Sequence, residues 1–190
     1  MIDSAIGQIA SQLNVALRRT FRVGEDLVVV SNLLEQDGTV SAQVANRLAV
    51  FLVNIEKESV PMPAGRASVP GVRLGVRPAA VHLNLLVMFA ANFGGTNYPE
   101  ALKFISATIG FFQSRPVFDH HNTPDLDSRI ERLAFEIETL NLSDLSNLWG
   151  ILSGRYLPSI LYRVRLVSID AQQIEAQVGT IRQPDAGVSA

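Results

Sequence analysis

The sequence contains no cysteine, which excludes disulfide bonds and any thiolate metal site or nucleophile. Its formal net charge of -2 lacks the concentrated basic excess that is typical of nucleic-acid-binding proteins, so no nucleic-acid partner is expected. The longest apolar run, residues 79–91, is interrupted by His82 and Asn84 and is too short to cross a bilayer as a helix. No basic leader precedes the first apolar positions. These absences predict a protein made in the cytoplasm, without stable membrane insertion.

The sequence also lacks a G-x-S-x-G motif, a phosphate loop and a dinucleotide-binding fingerprint. One loop has the carboxylates and imidazoles that a divalent metal needs, and its candidate ligands are Asp119, His120, His121, Asp125 and Asp127. Neighbouring histidines in an extended segment point in opposite directions, however, and no spacing places two ligands on one helix face. A solvated loop fits this segment better, and we expect no metal, no cofactor and no enzymatic activity.

What the sequence does have is apolar content. It is 190 residues long and 47% hydrophobic, which is enough for one domain with a sizeable core. Its mean hydropathy of +0.21 is high for a soluble monomer and indicates buried subunit contacts. We expect the domain to span residues 1–170 and a polar tail to span 171–190, extended or disordered in the isolated protein. The alternative role of the tail is to add a strand to a neighbouring sheet edge.

Periodicity predicts an α+β fold: a mixed or antiparallel sheet with helices packed mainly on one side. Helices are expected at residues 2–19, 98–113 and 143–152, and strands at 26–34, 48–56, 81–93, 130–139 and from 160 onward. Segment 39–47 is ambiguous between helix and strand, and 115–128 reads as a polar loop. In the second helix we expect four apolar residues to face the sheet: Leu102, Ile105, Ile109 and Phe112.

The last helix and strand form the most ordered pattern in the chain. Ser143 can cap the helix, Gly154 can close it, and Pro158 marks the turn that follows. Trp149 and Tyr156 are placed to contact each other when the chain folds back. The strand then alternates between an apolar face and a face that carries arginines, so one side is predicted to be buried. Glu136 and Glu138, which share a face of the preceding strand, are expected to face solvent.

The segment at residues 60–78 is rich in proline and glycine, which disfavour helices and strands, so it is predicted to be irregular. Arg66, Arg73 and Arg77 give it positive charge without a nearby acid. Segments this long inside a compact domain are usually functional or mobile. It is therefore either a plain connection between strands or an arm that binds an acidic patch on a neighbouring subunit.

The run LSNLWGILSGRYLPSILYRVRLVSID, residues 145–170, resembles the closing signature of cap, or tail-terminator, proteins of extracellular contractile injection systems. These are phage-tail-like particles of the virulence-cassette and antifeeding-prophage type. The positions that carry the resemblance are Leu145, Leu148, Trp149, Gly154, Tyr156, Pro158, Ser159, Tyr162, Val164, Val167 and Asp170. Residues 48–59 and 80–112 also agree, in the expected order, so the resemblance covers about residues 2–170.

The resemblance implies a structural cap that ends the polymerisation of sheath and inner tube at the end distal to the baseplate. It also implies a homo-oligomer, as a hexameric ring, assembled in the bacterial cytoplasm and then carried in a particle that is released or anchored. The candidate partner contacts are Arg66, Arg73, Arg77, Arg163 and Arg165. Two alternatives remain: an adaptor that tethers the particle to an envelope or another partner, and a metal-dependent enzyme built on the loop at 119–127.

Overall fold

The fold is taken from a computed structural model, which describes residues 1–35, 37–58, 82–152 and 155–168. Within them lie three α-helices and six strands. In chain order the elements are α1 (Ile2–Phe21), β1 (Val28–Val30), β2 (Arg47–Lys57), β3 (His82–Asn92), α2 (Tyr98–Ser114), β4 (Val117–Asp119), β5 (Ile130–Glu138), α3 (Leu142–Leu152) and β6 (Ser159–Ser168). The irregular segment 60–78, Gly154 and the tail 171–190 lie outside the described residues.

The six strands form one mixed sheet in the order β1-β2-β3-β6-β5-β4. Only the β1–β2 pair is parallel, and the other neighbours are antiparallel. The long strands β3 and β6 occupy the centre, and the two edge strands have three residues each. This arrangement confirms the predicted α+β class with a mixed sheet.

One face of the sheet is covered by α1 and α2 and carries the main core. Helix α1 buries Ile6, Ile9 and Leu13 because they recur at helical spacing. The centre of this core is aromatic: the ring of Phe112 on α2 lies 4.6 Å from that of Phe135 and 4.9 Å from that of Tyr162. Rings at such separations interact beyond the area that they bury. The core therefore holds the sheet and α2 together.

The other face of the sheet carries a smaller core beneath α3. Trp149 on α3 is buried with Met88 and Leu161, which point to this face from β3 and β6. The ring of Tyr156 meets the Trp149 indole edge-on at 5.7 Å, which confirms the predicted contact between them. Helices thus lie on both faces, with α1 and α2 on one and α3 on part of the other.

Several sequence-based boundaries were wrong. The strand predicted at 26–34 shortens to Val28–Val30, and the loop predicted at 115–128 contains the edge strand β4, which pairs with β5. The ambiguous segment 39–47 forms a short 3₁₀ turn at Ala42–Val44 and then enters β2. Short edge elements have too few residues for a periodic pattern, so tertiary pairing decides them.

The predicted faces and caps of two helices also need correction. On α2, Leu102 is 46% exposed, whereas Phe104 is buried against Phe21 and Phe93, so the buried stripe is rotated from the one expected. On α3 the cap is Asn141 and not Ser143, because the Asp144 backbone N–H donates to the Asn141 side-chain oxygen at 2.9 Å. Both residue types are good caps, and the cap lies two residues earlier in the chain than expected.

Candidate partner-contact face

The part of the sheet that α3 leaves exposed carries alternating charges on three strands. We call it the open face and define it by six side chains: Glu56, Glu58, Glu136, Glu138, Arg163 and Arg165. It arises because β6 alternates, so that its apolar residues enter the main core and its arginines point the other way. β3 separates β2 from β6, and the arginines reach over it.

Arg163 is the better buried of the two arginines, with its side chain 24% exposed. Its Nε donates to Glu138 Oε2 at 2.7 Å, and its Nη1 donates to Glu56 Oε2 at 2.6 Å. These hydrogen bonds, first to Glu138 and then to Glu56, raise the pKa of Arg163 above its ordinary value. Arg163 is therefore a fixed cation that links β5 to β2 across the sheet.

Arg165 also contacts two glutamates, but at longer distances than Arg163 does. Its Nη2 donates to Glu136 Oε2 at 3.2 Å, and its Nε lies 3.7 Å from Glu58 Oε2. The Arg165 side chain is 45% exposed and that of Glu136 is 55% exposed, so water screens this pair more than the Arg163 pairs. The ion pair of Arg165 with Glu136 is thus more exposed to water than the pairs of Arg163.

A cavity of about 270 Å³ adjoins this outer part, lined by Glu58, His82, Arg132, Glu136 and Arg165 among others. Asn84 lies on the same face of β3, opposite Arg165 in the ladder and opposite Glu56 on β2. Asn84 is buried, and its Oδ1 has no hydrogen-bond partner among the described residues.

The structure brings together only part of the predicted contact set. Arg163 and Arg165 lie on the open face, whereas Arg66, Arg73 and Arg77 lie outside the described residues. Sequence reasoning missed the partners of the arginines. The available signal was four glutamates at alternate positions, Glu56 and Glu58 near the end of β2 and Glu136 and Glu138 on β5. The latter pair is not merely facing solvent, because each holds an arginine.

The candidate metal loop has other contacts. The Asp119 carboxylate accepts hydrogen bonds from the backbone N–H groups of His121 and Asn122, which close a turn. The Asp127 carboxylate accepts two hydrogen bonds from the guanidinium group of Arg129. These hydrogen bonds hold the pKa of Asp127 far below its usual range. In the described part of the chain, no group of three or more His, Cys, Asp or Glu side chains is placed to hold a metal ion.

Comparison with known families identifies the chain. The sequence model of the Pvc16 N-terminal domain matches residues 8–183, and the chain belongs to that family. The family resemblance seen in the sequence is thereby confirmed. Among curated proteins, none matches this sequence. The helices of the described ranges include none that is long and apolar enough to span a membrane.

Two solved structures share the fold. One is described as the sheath/tube terminator, in the extended state, of an extracellular contractile injection system, PVC. It is 19% identical, with a TM-score of 0.56, and the match covers 94% of this chain and 63% of that one. The other is the tube-terminating cap of the anti-feeding prophage, 15% identical, with a TM-score of 0.53 and coverage of 94% and 61%. The chain thus spans slightly more than three fifths of each.

Proposed function

We propose that this protein is a structural, non-catalytic cap that terminates the tube and sheath of a contractile injection particle. The observation that carries the proposal is the family membership over residues 8–183, together with a fold shared with two terminator proteins over 94% of the chain. Sheath and inner-tube proteins are the proposed partners. The proposed assembly is a hexameric ring, formed in the bacterial cytoplasm and carried on the finished particle.

The physical logic of such a cap concerns the edges of the last ring. A helical assembly leaves unpaired surface at its growing end, and a closed ring that pairs with this surface stops growth because it offers no new copy of it. A ring that contacts both tube and sheath also couples them, so that contraction drives the tube. In the described part of the chain the sheet ends in short strands of three residues on both sides, which limits strand pairing beyond the intended contacts.

Two surfaces are proposed to make the contacts. The first is the open face with Arg163 and Arg165, whose half-exposed charges suit a polar and specific interface. The second is the segment that carries Arg66, Arg73 and Arg77, which are unmatched by acids in the sequence around them. Fixed charges on a rigid sheet favour one register of a partner over others.

Immunogold labelling of purified particles tests this function. An antibody against this chain is expected to place gold at a single end of each particle, distal to the baseplate. An antibody against the sheath serves as the control and should label the full length. Gold along the length, or no gold on particles that the sheath antibody decorates, would reject the cap.

A further inference from the structure

We draw no further inference here: the strongest candidate, the apolar groove of about 390 Å³ beside α3 that is lined by Leu142, Trp149 and Tyr156 among others, carries none because nothing in the described part of the structure shows what covers it.

Discussion

On β6, Tyr162 and Val164 point into the aromatic core, whereas Arg163 and Arg165, one residue further along, bind glutamates on the opposite face. The same strand thus serves two surfaces of different chemistry. The covered face is held by rings and aliphatic side chains that are closed to water. The open face is held by charges that remain partly exposed.

The two faces are suited to different tasks: the covered face stabilises the fold, and the open face is suited to recognition of a partner. Burial of apolar area supplies most of the free energy of folding and has little directional preference. Exposed ion pairs contribute little to folding, but they fix the orientation and register of a partner. A chain that must fold alone and then join an assembly benefits from keeping these tasks on opposite sides of one sheet.

The largest expected effect comes from breaking the covered face. Phe112→Ala removes the ring that contacts Phe89, Phe118, Phe135 and Tyr162, and should lower the free energy of unfolding by about 3–5 kcal/mol. Urea unfolding followed by fluorescence measures the loss. The neighbouring Phe111→Ala is the matched control and should cost clearly less, because Phe111 is only partly buried. Equal losses would mean that the aromatic core is not centred on Phe112.

A smaller effect is expected on the open face. Arg163→Met leaves Glu56 and Glu138 without their shared cation and should cost about 1–2 kcal/mol, since Arg163 is three-quarters buried. Arg165→Met should cost under about 1 kcal/mol, because water screens its pairs. Urea unfolding at low and high salt compares them. A larger loss for Arg165 than for Arg163 would contradict the assignment of the stronger ion pairs to Arg163.

The smallest effect is expected from a single hydroxyl group in the main core. The Tyr162 hydroxyl is buried and has no hydrogen-bond partner among the described residues, so Tyr162→Phe should be neutral or slightly stabilising at pH 7. Burial raises the pKa of Tyr162 to about 12, above the value near 10 of an unfolded tyrosine. The unfolded state therefore ionises first, and wild-type stability should fall as the pH rises from about 10 to 12.

Thermal unfolding of wild type and Tyr162→Phe over this alkaline range isolates the contribution of one hydroxyl. The difference between the two proteins should grow with pH in favour of phenylalanine, because the variant lacks the ionising group. A constant difference, or a variant that becomes less stable than the wild type at high pH, would mean that Tyr162 ionises in the folded protein.

Sequence alone predicted the parts of the fold that have long periodic patterns. The central strands β3 and β6 and the helix α1 were placed to within a few residues, because each alternates or repeats over ten residues or more. The edge strands β1 and β4 were missed or misjudged, since three residues carry no periodic signal. The buried stripe of α2 was only partly predicted: Phe112 is buried as expected, but Leu102 is exposed, and packing against Phe21 of α1 buries Phe104.

Only half of the candidate site, the two arginines, could be predicted from the sequence. Alternation on one strand indicates that Arg163 and Arg165 share a face, and this needs no knowledge of the neighbours. The partners of these arginines depend on strand order. Glu56 can accept a hydrogen bond from Arg163 only because β2 and β6 both flank β3 in the sheet. Strand order is a property of the whole fold, and nothing local to residues 56 or 163 specifies it.

A protein that ends the particle, as proposed here, controls its length, and deletion of the gene tests that role. In a strain that produces the particles, deletion of this gene should yield bare tubes or sheathed assemblies of uncontrolled length in negative-stain electron microscopy. Restoring the gene should restore a narrow length distribution. Uniform, contractile particles of normal length in the deletion strain would contradict the cap, and a search for a partner outside the particle would follow.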